Sequence, residues 1–388
     1  MNKRRAPRPL PRLIAAAVCL FSALAAGGCL KPVSLDVCGY VSAIAVDEGR
    51  DGEYYFTLAL QRELAEQNIE SEGGAILLAD SGEDLFEAVT RMQGSVPYTI
   101  NFTRANFIVV SRELAERGLL SELARLDHDR LHIRTSAAVM ITQCRAYEFL
   151  GAMYSNNDAD INKLQSALTL DGRRTGMVRL MPLSRLIEAE RAGTSDFCTA
   201  LGSRDPEIVT DMEQKRAEAE GKDPAENVSP GERVGGLKAF MTGTALFSGA
   251  RMTGVLSRDE TLFLNLMMGR LESGFISADT PKGRMTAALT NSSSRLAVRK
   301  NGEGLLIVLT VRVLAEPLSR PAELSRKEAE ELLQNELPAM LAERVDAVFA
   351  KLRAAGCDPL CAAAKAGAGG REYAHSELRV TVTVKPAA

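Results

Sequence analysis

Only one stretch of this chain is long, apolar and free of charge: Leu13 to Ala26 (LIAAAVCLFSALAA). At 14 residues it falls short of the roughly 20 that a spanning helix needs. Ahead of it stand Lys3, Arg4, Arg5, Arg8 and Arg12, and behind it come Gly27, Gly28 and Cys29. A basic head, a short apolar core and small residues form the layout of a secretory leader. Small residues directly before a cysteine are the pattern of a bacterial lipobox. There the thiol takes a diacylglyceryl group and cleavage leaves the cysteine as the new N-terminus. Residues 1–28 are therefore expected to be a lipoprotein signal peptide and Cys29 the lipidated residue. The alternative is a plain secreted protein that has a cysteine near its cleavage site.

The remainder must then fold outside the cytoplasm as a globular body. The leader takes five of the 47 basic residues and none of the 50 acidic ones. That leaves 42 basic against 50 acidic, a net of −8 over 360 residues. An acidic balance argues against nucleic acid as a partner. Two or three acyl chains would hold such a body to a membrane where one would not. The 46% hydrophobic content is that of an ordinary globular protein. Beyond the leader and Cys29 stand Cys38, Cys144, Cys198, Cys357 and Cys361. An odd number excludes a full disulfide framework, so mostly buried free thiols are expected. A local Cys357–Cys361 disulfide is the alternative.

Short strands and helices interleave through the body. Val41–Val46 and Tyr54–Leu60 flank Asp47–Gly52 (DEGRDG), the composition of a hairpin. A short strand follows at 75–79, with Ser81 as the cap of a helix that buries Leu85, Val89 and Met92. Asn106–Val110 reads as a buried strand, and Ser111–Arg117 as a helix stopped by Gly118. A helix at Leu119–Leu126, a strand at Thr135–Thr142 and helices near Asn157–Leu170 and Leu183–Arg191 are expected next. Asp211–Gly236 combines charge with Pro and Gly and reads as a linker. Phe240–Phe247 and Arg251–Leu256 form a second hairpin, and Ser257–Glu260 is a capping box that opens a helix burying Leu262, Leu266 and Met267.

The last stretch holds strands at Met285–Thr290, Arg295–Arg299 and Leu305–Leu314, the last two joined around Asn301-Gly302. A second capping box, Ser325–Glu328, opens a helix whose apolar face runs from Leu332 to Leu352. Leu378, Val380, Val382 and Val384 then alternate with polar residues as a terminal strand. Short elements and hairpin connections favour α+β over a doubly wound sheet. The expected architecture is three mixed α/β domains with antiparallel-rich sheets, flanking helices and a long helix near the C-terminus. The expected divisions are 29–210, a linker at 211–236, a small middle domain at 237–283 and a C-terminal domain at 284–388.

Chemistry is sparse. No G-x-S-x-G, Walker A or H-E-x-x-H pattern occurs. Gly367–Gly370 reads as a loop before a strand and not as a phosphate cradle. His128 and His132 stand with Asp127 and Asp129, but Arg130 and Arg134 would repel a cation, so a polar turn is the better reading. No catalytic residue, metal site or cofactor is expected. The residues point to binding or assembly.

The chain resembles the Ger(x)C family, lipoprotein subunits of nutrient germinant receptors in endospore-forming bacteria. The resemblance begins at the lipobox and runs through Gly39–Asp47, the hairpin Asp47–Leu60, and Asn106–Gly118 (NFIVVSRELAERG). It continues through Asp127–Val139 with Arg134, Gly243–Phe247, Gly254–Thr261 and Asp358-Pro359-Leu360. Order and spacing carry it more than any one segment. Departures are Leu30, where a Trp often follows the lipidated cysteine, and Cys361–Ala363 after the Asp-Pro-Leu element. The resemblance implies three α+β domains, no catalytic residues, and attachment to the outer face of the cell membrane, which is the spore inner membrane. It implies as partners a larger membrane subunit and a transporter-like membrane subunit of the same receptor. A lipid-anchored solute-binding protein of a transporter is the alternative, but the repeated βαβ units and multiple hinge crossings of such a binder are not visible.

Overall fold

The computed structural model describes residues 38–61, 76–118, 123, 131–155, 168–170, 172–194, 196–204 and 239–387. The leader with Cys29, the 119–126 helix apart from residue 123, most of 157–170, His128 and the 211–236 linker lie outside them.

The first sheet grows from β1 (Cys38–Glu48) and β2 (Tyr54–Gln61). Their hairpin closes through Asp51 (φ 56°) and Gly52 (φ 88°), with Glu53 N–H donating to the Arg50 carbonyl at 3.0 Å. Two successive positive φ values are what an Asp-Gly turn of this kind requires. β3 (Ile76–Gly82) lies antiparallel to β2. On the other side β1 runs parallel to β5 (Phe107–Ser111), which is parallel to β6 (Ala138–Thr142), which is parallel to β8 (Cys198–Ser203). β9 (Phe240–Ser248) and β10 (Arg251–Ser257) complete that edge as an antiparallel hairpin. Short strands β4 (Thr99–Asn101) and β7 (Met181–Pro182) pair with β1 and β6.

The centre of this sheet is thus parallel and its flanks are antiparallel, while the short β7 also pairs antiparallel with β6. β5 and β6 are buried at every position. Helices cover both faces, as parallel strands require. On one face α1 (Leu85–Gln93), α2 (Arg112–Arg117) and α4 (Leu183–Ala192) pack over Val41, Ile44, Leu58, Ile108, Val139 and Phe247. On the other, α3 (Ala146–Ser155) packs over smaller residues, among them Ala43, Ala45, Ala59 and Ala200. A bulge at Ser42 adjusts the register there, and the Ser42 hydroxyl donates to the Ala59 carbonyl at 3.0 Å.

The second sheet orders β11 (Ser273–Thr280), β12 (Gly283–Asn301), β13 (Gly304–Ser319) and β14 (Glu377–Pro386), with β14 parallel to β13. Between β13 and β14 the chain forms α6 (Arg326–Ala354), the expected long helix. Its Leu333, Leu337, Leu341, Val345, Phe349 and Leu352 pack with Leu305, Ile307, Leu309, Val382 and Val384 of the sheet. α5 (Arg258–Met267) joins the same core. Both capping boxes form: Ser257 and Ser325 each accept from the N–H three residues on at 3.3 Å. Short helices α7 (Ala362–Lys365) and α8 (Gly370–Ala374) precede β14.

Several expectations change. The α1 cap is Asp84, which accepts from Glu87 N–H at 2.9 Å; Ser81 belongs to β3, which runs three residues further than expected. Met285–Thr290 and Arg295–Arg299 are one strand, β12, with an irregularity after Thr290. Gly370 starts α8, so the 367–370 stretch leads into a helix and not directly into a strand. β9 and β10 of the 237–283 stretch extend the first sheet. The chain is α+β with two mixed sheets; three separate domains are not shown.

Candidate functional site

Among the described residues, two places gather polar side chains around a cavity. The first is where the Asp358-Pro359-Leu360 element meets the first sheet. Cys357 is fully buried and its thiol donates to the Phe197 carbonyl at 3.5 Å. Tyr373 of α8 donates its hydroxyl to the Cys357 carbonyl at 2.9 Å and packs edge-on against Phe349 of α6. Asp358, 6% exposed, accepts from Ala363 N–H at 2.8 Å and so caps α7. Its other oxygen meets no donor among the described residues. Burial raises the Asp358 carboxyl above its ordinary value against the pull of the Ala362 and Ala363 N–H groups. Burial likewise pushes the Cys357 thiol and the Tyr373 phenol up, so both stay protonated. Cys361, at φ 53°, donates its thiol to Asp196 Oδ2 at 3.7 Å. Asp196 also holds Arg185 at 3.3 Å. A cavity of about 230 Å³ lies between these groups. The geometry is that of a clamp joining the C-terminal segment to the loop after α4.

The second place is a cleft of about 500 Å³ between residues 172–181, with Leu168 and Thr169, and residues 265–292. Along Met177–Leu180 the side chains alternate: Val178 and Leu180 join the α3 side of the core, while Met177 and Arg179 meet α5. Arg179 is 7% exposed. Its Nε donates to Cys198 Sγ and its Nη1 to Asn265 Oδ1, both at 3.2 Å. Asn265 Nδ2 donates in turn to the Gly176 carbonyl at 2.8 Å, which fixes the amide. No carboxylate of the described residues pairs with Arg179. A guanidinium cannot discharge itself, and a buried charge without a counter-charge costs several kcal/mol. Arg270 lines the same cleft. Burial first, then repulsion from Arg179 and Arg185, holds Arg270 below the ordinary arginine value.

Of the residues singled out from sequence, Cys29 and His128 lie outside the described ones. His132 is exposed at φ 53°. None of Cys38, Cys144, Cys198, Cys357 and Cys361 is in a disulfide, and of these Cys198 and Cys357 are buried. Among the described residues no group of three or more His, Cys, Asp or Glu side chains could hold a metal. None of their helices is long and apolar enough to cross a membrane. Sequence reasoning missed Arg179 and Asn265. The signal present was one charge inside the apolar run Met177–Met181.

The outer face of the second sheet is exposed and basic. Arg295 and Arg299 on β12, Arg312 on β13 and Arg379 and Lys385 on β14 share it. Phe275, Val308 and Leu318, between 38% and 54% exposed, add apolar area on the same sheet.

Comparison with known proteins gives a consistent result. Residues 33–199 match the family model described as the spore germination protein N-terminal domain. Residues 242–365 match the one described as spore germination B3/GerAC like, C-terminal. Among solved structures, the crystal structure of the GerBC protein aligns with a TM-score of 0.52 at 13% identity, over 89% of this chain and 97% of that one. At such identity the likeness speaks for the fold. No curated protein matches the chain.

Proposed function

The chain belongs to the GerAC-like spore germination proteins, and we propose that it is a non-catalytic, lipid-anchored subunit of a nutrient germinant receptor. The observation that carries this reading is the match of both family domains, in order, along one chain. The anchor is Cys29, directly behind the apolar core of the leader. The partners are the larger membrane subunit and the transporter-like membrane subunit of the receptor, at the outer face of the spore inner membrane.

The exposed face of the second sheet supports assembly. Arginine and aromatic side chains are enriched at protein interfaces, and this sheet exposes both. Its basic balance contrasts with the net −3 of the whole chain. A body of this kind contributes by docking and not by turnover.

The anchor is tested by Cys29→Ala. Metabolic labelling with a fatty acid should disappear and the protein should leave the membrane fraction. Full labelling in the variant would refute Cys29 as the lipidated residue.

A further inference from the structure

We propose that the cleft between residues 172–181 and 265–292 binds a small oxyanion, a molecule bearing a carboxylate or a phosphate group, against the guanidinium of Arg179. Four observations carry this. Arg179 lines the cleft although it is 7% exposed, so its charge lies deep and not on the surface. Its two hydrogen-bond partners are a cysteine sulfur and an amide oxygen, which orient the planar fork without neutralising it. A second guanidinium, that of Arg270, faces the same space with no carboxylate partner among the described residues. Among the described lining residues the one acidic side chain is Glu272, which stands at the exposed rim and is engaged by Arg173 at 3.6 Å.

Among the described residues the cleft therefore carries two cations without a carboxylate partner, Arg179 buried in its wall and Arg270 at its exposed side. A carboxylate or phosphate matches the fork of Arg179 in two parallel hydrogen bonds. The volume of about 500 Å³ is that of a small-molecule pocket, for which ~300–1,000 Å³ is usual. The hydroxyl of Ser292 already accepts from Leu271 N–H at 2.9 Å, which ties the wall of the cleft to the turn before β11. The wall is thus fixed before any ligand arrives.

The test uses the full chain in detergent, titrated separately with inorganic phosphate and with acetate in a chloride buffer free of other oxyanions. Calorimetry reads affinity and thermal unfolding reads stabilisation. At least one ion should bind saturably at one per chain and raise Tm. Arg179→Gln should weaken that ion at least tenfold. Arg270→Gln, at an exposed position that folding tolerates, should weaken it threefold or more. Arg173→Gln should stay within twofold, because its charge is already engaged by Glu272. A response to phosphate alone or to acetate alone assigns the anion class. Absence of binding by both ions to the unaltered chain would overturn the proposal. So would unchanged affinity in Arg270→Gln, or an equal loss in Arg173→Gln, which would indicate general surface charge.

Discussion

The carboxylate of Asp47, at the end of β1, accepts the backbone N–H of Ala146 at 2.6 Å, across 99 residues of chain. It accepts that of Tyr147 as well, at 2.9 Å. Those N–H groups open α3 and have no partner inside the helix. Asp47 is 1% exposed, so one side chain of the sheet both caps α3 and fixes where it lands. Burial raises the Asp47 carboxyl, and the two N–H bonds oppose that rise.

Asp47→Ala removes the cap and leaves buried N–H groups unsatisfied. A lost cap costs about 0.5–2 kcal/mol and an orphaned buried donor about 1–3. The variant should lose about 2–3 kcal/mol in urea unfolding, and Asp47→Asn, which keeps one acceptor oxygen, should lose clearly less. Equal losses would contradict the cap.

Leu341 tests the packing of α6 on the second sheet. It is fully buried in that core, while Arg344 on the same helix is exposed. Leu341→Ala should cost about 2–5 kcal/mol. Arg344→Ala should stay within about 0.5. Similar small changes in both would mean that the helix face is not core.

Much of this fold was legible because its signals are local. The Asp-Gly hairpin, the capping boxes at Ser257 and Ser325, Gly118 as a helix stop and the Leu332–Leu352 face all announce themselves within a few residues. The parallel centre does not. Phe107-Ile-Val-Val110 is apolar on both faces, and nothing local says that it pairs with Ala43–Val46 on one side and Ala138–Ile141 on the other. α3 was missed for a different reason: Ala146, Phe149, Leu150 and Met153 do recur at helical spacing, but Tyr147, Ala152 and Tyr154 leave the opposite side without a clearly polar face. The cap of α1 moved from Ser81 to Asp84 because pairing with β2 extends β3 to Gly82. At the site, the Asp358-Pro359-Leu360 element was legible as a family feature, but its role as a clamp depends on Phe197 and Asp196, which lie about 160 residues away. Arg179 depends on Asn265 in the same non-local way.

Gly243 illustrates a backbone demand that the sequence hides. It has φ 156° on β9, and a Cβ there would lie 1.9 Å from the Leu256 carbonyl oxygen on β10. Gly243→Ala must push the hairpin apart and should lower Tm by several degrees. Gly249→Ala, at the turn with open space around it, should lower it less, through its φ of 60° alone. The reverse order would contradict the packing of β9 on β10.

Asp358 gives a pH signature. Its carboxyl is raised above 3.8 in the folded chain. The stability it contributes is therefore complete below that value and is lost as pH rises through the folded value. Asp358→Asn does not titrate. The Tm of the variant relative to the unaltered protein should therefore improve between about pH 3.5 and about pH 7. A difference that stays flat, or that moves the other way, would contradict a buried carboxyl at this position.

The central claim is that the chain works as a receptor subunit in germination. Spores of a strain lacking it, and lacking any paralogue able to substitute, test this most directly. Phase-contrast counting of germinated spores across a panel of single nutrients is the measurement. The account predicts normal spore formation with loss of the response to particular nutrients, restored by the unaltered chain. Normal germination to every nutrient would contradict it.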